Sequence, residues 1–244
     1  YRRGLEVRAD FLQRTQASFD AEVRSLDFSD PASVGIINGW VKRETREKIT
    51  EIIKAPIDPA TVMFLINAIY FNCKWTYRFE RARTVDAPFH GVGGTVGTVP
   101  LMEVKGSFLY AENDRYQAVD LPYGGQAFAM TVVLPRESSS VKEVVASLDP
   151  GSWSALVEGF EEQEGTVRLP RFRMEWEKVL NQTLAALGMV QAFQPGVADF
   201  RGISSPGGGN PGLFVSLVKQ KAYVDVNEEG TEAAAVTVVV IDRS

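Results

Sequence analysis

Histidine and cysteine each occur once in the 244 residues, as His90 and Cys73. A single cysteine forms no internal disulfide, so redox chemistry does not report a compartment. With one histidine and no Cys/His/Asp group at ligand spacing, the sequence calls for no metal and no cofactor. A Ser-His-Asp triad would have to use His90, and no Gly-x-Ser-x-Gly elbow is present to hold its serine. The glycine-rich run Gly91–Gly97 lacks the Gly-Lys-Ser/Thr ending of a phosphate-binding loop and reads as a turn. Basic residues are not in excess: 26 Lys and Arg against 31 Asp and Glu give a net charge of -5, which excludes an electrostatic footprint for nucleic acid. No uninterrupted apolar run approaches the roughly 18–20 residues that a membrane-spanning helix needs, so no membrane partner is expected. The start, Tyr1-Arg-Arg-Gly-Leu-Glu-Val7, has no apolar signal-peptide core.

What is present is enough for a sizeable core: 45% of residues are hydrophobic. Periodicity predicts a helix over 6–19, a strand over 21–28, and a helix from Pro31 to Ile53 with Asp30 and Pro31 at its start. The nearly all-apolar run Val62–Phe71 predicts a central strand buried on both faces, with Asn67 a buried polar group in need of a partner. Shorter strands are expected at 98–102, 107–111, 117–122 and 127–134, with Gly124-Gly125 as a hairpin turn. Helices are expected at 141–148, 153–160 and 178–189. A strand is expected at 166–174, and Pro170 marks it as an edge or a bulge. Asn181-Gln-Thr183 matches the N-glycosylation sequon but falls on a predicted helix, where such matches are more often chance. Ser204–Gly212 reads as a linker, and Leu213–Val226 as a long strand. The fold class is α+β, one mixed body over residues 1–244.

The last stretch, Glu228 to Ile241, organises the rest. Alternation sets Thr231, Ala233, Ala235, Thr237, Val239 and Ile241 on one face. From Ala233 to Ile241 there is no charge, proline or glycine, which makes a segment of high β-propensity that is hazardous if left exposed. Glu228-Glu229-Gly230-Thr231-Glu232-Ala233-Ala234-Ala235 resembles the hinge of the reactive-centre loop in serpins, the serine-protease-inhibitor family. The resemblance extends to Phe64–Trp75, to Phe79, Thr84, Phe89 and His90, and to Val99–Met102, Ala118–Tyr123, Leu134-Pro135, Leu169–Phe172 and Leu187–Met189. It covers nearly the whole chain and reassigns His90 to a structural role.

The resemblance implies a large mixed sheet with a helix packed across it, plus smaller sheets and helices. It implies that the strands ending at Trp75 and Val226 part to admit the loop, and that Arg171 and Glu228 form a partly exposed hinge ion pair. Asn67, Trp75, Arg171 and Gln220 mark the sheet-opening region. Gln220 stands where serpins usually have histidine, which removes a protonation switch there but leaves a possible hydrogen bond to Asn67. Family spacing from Glu228 places the reactive bond at Ser244, with Arg243 as the alternative. It also implies a chain cleaved there, with residues 228–244 inserted as a strand and separate N- and C-terminal serpin fragments as partners.

The function implied is inhibition of a serine protease by a suicide-substrate mechanism, with no catalytic residue in the inhibitor. An elastase- or subtilisin-like target is favoured by Ser244, and a trypsin-like one by Arg243. Small uncharged residues at 231, 233 and 235 suit loop insertion. The alternative is a non-inhibitory serpin acting as a carrier, chaperone or storage protein.

Overall fold

Among residues 1–91, 94–205 and 212–244, which the computed structural model describes, the chain forms five α-helices and nine strands. The first half contains α1 (Ala9–Phe19), α2 (Ala32–Glu44), β1 (Thr61–Lys74), β2 (Val85–His90), β3 (Val96–Glu112), β4 (Tyr116–Tyr123) and β5 (Phe128–Pro135). The second contains α3 (Val141–Ser147), α4 (Pro150–Glu158), β6 (Glu161–Pro170), β7 (Phe172–Val179), α5 (Asn181–Ala186), β8 (Leu213–Val226) and β9 (Gly230–Arg243). Residues 92–93 of the glycine-rich run and 206–211 of the expected linker lie outside the described residues. Contacts divide the chain into two units. One comprises Tyr1–Tyr70, Met174–Tyr223 and Ala233–Ser244; the other comprises Phe71–Arg173 and Val224–Glu232.

In the first unit the strands are hydrogen-bonded in the order β1-β9-β8-β7. α2 covers this sheet because Ile37 and Val41 recur four residues apart on one helical face. They share a core with Ala234, Val236, Val238 and Val240 of β9 and with Tyr223 of β8. The helix is shorter than its apolar pattern predicts. It ends at Glu44, and Arg46 and Glu47 take left-handed backbone angles. Ile49, Ile52 and Ile53 are buried all the same, because tertiary bonds hold the returning chain. The Asn38 amide donates to Ile53 O at 2.9 Å, and its carbonyl accepts from Ile52 N and Ile53 N. The buried Thr45 hydroxyl accepts from Ile49 N and donates to Val41 O.

Two further expectations change in this unit. Residues 21–28 alternate but form no strand: their backbone bonds run to Tyr1–Arg3, and the pairing is a single parallel bridge between Arg2 and Leu26. β1 is not buried on both faces. Phe64, Ile66, Ala68 and Tyr70 pack on the α2 core, whereas Leu65, Asn67 and Ile69 on the opposite face are exposed. Asn67 is therefore a solvent-facing amide rather than a buried one. A smaller core of Leu5, Val62, Met63, Ile203, Leu213 and Ile241 closes the far end of β9.

In the second unit, β3 is the spine. β6 pairs antiparallel with it from Leu101 to Tyr110, while β2 and β4 share its other edge at residues 96–101 and 109–112. The two short strands expected at 98–102 and 107–111 are thus one. Gly106 faces Gly165 across the ladder, and the pairing with β6 runs through both without a break. Conversely, the single strand expected at 166–174 is two, because Pro170 carries no N–H and Arg171 N turns to Pro100 O. β2, seen in the sequence only as a motif, pairs residue for residue with β3. α4 begins earlier than expected, where Asp149 and Ser152 form a reciprocal cap and Pro150 opens the first turn. The core comprises Trp75, Phe79, Met102, Val104, Phe108, Leu121, Tyr123, Leu169 and Val226.

Candidate functional site

The turn from β8 into β9 is built by its own sequence. Asn227 N donates to Gly230 O at 3.0 Å and Gly230 N donates to Asn227 O at 3.3 Å, which leaves Glu228 and Glu229 as a two-residue loop. The Asn227 side-chain oxygen accepts from Glu229 N, an Asx turn that fixes the loop. Gly230 then runs against the end of β1. Trp75 N donates to Glu229 O at 3.0 Å, and Phe79 N to Glu228 O at 3.2 Å.

Side chains of the second unit secure the same turn. The Trp75 indole N–H donates to Asn227 O at 2.8 Å. The Tyr123 hydroxyl donates to the Thr231 hydroxyl at 2.7 Å, both residues being buried. The two aromatic rings stack with centroids 4.5 Å apart and planes 15° from parallel. Glu228 has only 3% of its side chain exposed, and Arg171 approaches it at 3.5 Å while 49% exposed. The pair is therefore lopsided rather than evenly part-exposed: one buried carboxylate meets one surface guanidinium. Thr84 donates a hydroxyl hydrogen bond to the same carboxylate oxygen at 2.8 Å. Burial pushes the Glu228 pKa up, but its own backbone N–H, Thr84, Arg171 and Arg81 together outweigh it and hold the value below 4.5. Glu229 and Arg81 make an exposed pair at 3.5 Å, of a kind that contributes about 0–1 kcal/mol.

In the first unit, residues 233–243 of β9 lie between β1 and β8. Arg243 N donates to Ala60 O and Ser244 N to Gly212 O, so β9 ends where both neighbours begin and is antiparallel to them. Ala234, Val236, Val238 and Val240 form its fully buried face beneath α2. Ala233 and Ala235 are half-buried on the other face, and Glu232 is half-buried. Asn67 and Gln220 are not joined by a hydrogen bond among the described residues. With β9 interposed, β1 and β8 stand two strand spacings apart, roughly 10 Å, beyond the reach of paired amides.

Among the described residues no group of three or more His, Cys, Asp or Glu could hold a metal ion. His90 is exposed and pairs through its backbone with Val96.

A family model described as Serpin (serine protease inhibitor) matches residues 1–244. The chain belongs to the serpin family. It is 38% identical over 230 residues to Iripin-2 of Ixodes ricinus, a match covering 93% of this chain and 56% of the relative. Among solved structures it resembles one described as cleaved Serpin 42Da, with a TM-score of 0.92, 30% identity and coverage of 99% of this chain and 65% of the other. It also shares the fold of thyroxine-binding globulin complexed with a thyroxine–fluorescein ligand, with a TM-score of 0.91, 24% identity and coverage of 100% and 71%. The chain spans about half the length of the curated serpins it matches.

Of the residues singled out from the sequence, Glu228 to Glu232 of the expected hinge lie in one unit with Trp75 and Arg171, whereas Ala233 to Ala235, Asn67, Gln220, Arg243 and Ser244 lie in the other. Sequence reasoning did not assign roles to Tyr123, Thr84, Arg81 and Asn227. Tyr123 and Thr84 fall inside motifs already noted, but alternation says nothing about which hydroxyl meets which side chain.

Proposed function

We propose that this serpin inhibits a serine protease by offering residues up to Ser244 as a substrate loop and inserting the cleaved loop into its main sheet. The observation that carries the reading is the position of β9, a strand of small and β-branched residues lying between β1 and β8. The protease serine attacks the carbonyl of Ser244, or of Arg243 in the alternative register. The peptide bond breaks, its nitrogen leaves protonated, and an acyl-enzyme remains. Residues from Thr231 onward then enter the sheet and carry the attached protease with them before water completes hydrolysis.

Energetics support the direction of this step. Burying Val236, Val238 and Val240 stabilises the inserted strand by about 1.5–3 kcal/mol for each side chain. The inserted segment brings no charge onto the α2 face from Ala234 to Val240. The polar contacts at Glu228 are worth less and fix where insertion starts.

The test mixes the intact, uncleaved protein with an elastase- or subtilisin-type protease and with trypsin, followed by a denaturing gel. A band at the summed mass that survives detergent is the expected result, and peptide mapping then identifies the bond. Cleavage by every protease without that band would overturn the inhibitory reading. It would favour a carrier role, for which the fold shared with thyroxine-binding globulin is the supporting observation.

A further inference from the structure

Two stacked rings place their only polar atoms on the two sides of one turn. Trp75 holds Asn227 O, the last residue before the turn, and Tyr123 holds the hydroxyl of Thr231, just after it. Tyr123 cannot easily turn away. It is 4% exposed, stacked on Trp75, and met edge-on by Phe71 at 5.2 Å. Its backbone is tied to the same strand end, since Trp75 and Tyr123 form an isolated antiparallel bridge and Gly124 N donates to Lys74 O at 2.8 Å.

We infer that Tyr123 is a positioning residue that reads residue 231 for a hydroxyl and so commits the hinge to insertion. The inference rests on the inhibitory reading above. A buried phenol needs a partner, and leaving it unsatisfied is penalised more heavily than making the bond is rewarded. When Thr231 occupies its place in β9, the phenol is satisfied. When residue 231 lies elsewhere, Tyr123 loses that partner within a rigid aromatic setting.

A slip that put a side chain in the place of Gly230 would clash with the backbone of Cys73 and Lys74. The close approach of Gly230 to Cys73 thus favours the register in which Thr231 meets Tyr123. An isosteric valine at 231 would fill the same space and leave the phenol without its partner. A phenylalanine at 123 would keep the stack and remove the reader.

The experiment is a double-mutant cycle in the intact protein with Tyr123→Phe, Thr231→Val and the pair, with Thr231→Ser as the conservative control. The first readout is the partition ratio, the number of inhibitor molecules cleaved without trapping for each protease molecule trapped. Each single variant is expected to raise it about fivefold, the factor that one hydrogen bond of ordinary net strength supplies. The double variant should be no worse than either single one, and Thr231→Ser should stay near wild type. An unchanged partition ratio in both singles, or singles whose effects on it simply multiply in the double, would overturn the inference. The second readout is the melting temperature of the loop-cleaved form, which needs no protease complex. If the wild-type protein traps no protease, the inhibitory reading fails, and coupling or its absence in this second cycle decides whether the hydroxyl pair positions the hinge.

Discussion

A Cβ placed on Gly230 would stand 2.1 Å from the carbonyl oxygen of Cys73 and 2.8 Å from Cα of Lys74. No side chain fits there, because both obstacles are backbone of β1. Gly230→Ala is therefore expected to force the first residue of β9 away from β1 and to destabilise the loop-cleaved protein by about 1–3 kcal/mol, the usual scale of overpacking. Guanidinium unfolding of the cleaved protein measures this, and an unchanged midpoint would show that β9 does not start against β1.

Thr231 is 5% exposed and follows immediately. Thr231→Arg would carry a long charged side chain into a site whose neighbours are Tyr123 and the aromatic core around it. In the intact protein this variant is expected to be cleaved by the target protease without trapping it. The assay is the ratio of cleaved to complexed inhibitor on a denaturing gel. Trapping at the wild-type ratio would refute the burial argument.

Glu228 is expected to make the turn between β8 and β9 sensitive to acid. Its native pKa lies below the ordinary 4.5, so the stability it contributes is complete above that pH and is withdrawn as the pH falls through the native value. A shallow loss of stability below about pH 4.5 is expected in the wild type. In Glu228→Gln that component of the loss should be smaller. Thermal melts from pH 7 down to pH 3 provide the comparison, and parallel curves for the two proteins would dismiss Glu228 as the titrating group.

Much of this was legible in the sequence, for reasons that show where legibility stops. Alternation located β8, and an uncharged run of small and β-branched residues located β9. It could not say which face of β9 meets α2, since Ala233 to Val240 is apolar on both. Periodicity found α2 but carried it too far. Ile49, Ile52 and Ile53 are buried at helical spacing, yet they are held there by Asn38 and Thr45 rather than by helix hydrogen bonds. Arg171 and Glu228 were paired by family resemblance alone, and nothing in the chain predicted that Thr84 would join them.

The sequon Asn181-Gln-Thr183 tests the same point from the other side. The Asn181 amide donates to Ser216 O at 2.9 Å, and its carbonyl accepts from Val218 N at 2.8 Å. Leu180 N also donates to Val218 O, so the side chain of Asn181 continues along β8 the pairing that β7 began. A glycan on this nitrogen would have to break the amide clamp. Expression in a glycosylating secretory host is therefore expected to give no glycan at Asn181 by peptide mass spectrometry, and an occupied site would show that the clamp opens before or during folding. Asn181→Asp removes the donor to Ser216 and should cost about 1–3 kcal/mol of stability.

Asn38 is the corresponding clamp for the chain that leaves α2, and it gives the sharpest test of what holds the helix on the sheet. One carboxamide serves three backbone groups, Ile52 N, Ile53 N and Ile53 O, none of which has a helical partner in its place. Asn38→Leu keeps the branched four-atom side-chain skeleton and removes all three bonds. Ile52 and Ile53, 1% and 7% exposed, would then sit in the core with unsatisfied backbone polar groups. A loss of about 2–4 kcal/mol is expected, more than a single hydrogen bond supplies and close to what a buried isoleucine truncation costs. Urea denaturation should show a lower midpoint. A loss confined to a few tenths of a kcal/mol would mean that burial of Ile49, Ile52 and Ile53 alone keeps this segment in place, and that the amide is incidental to it.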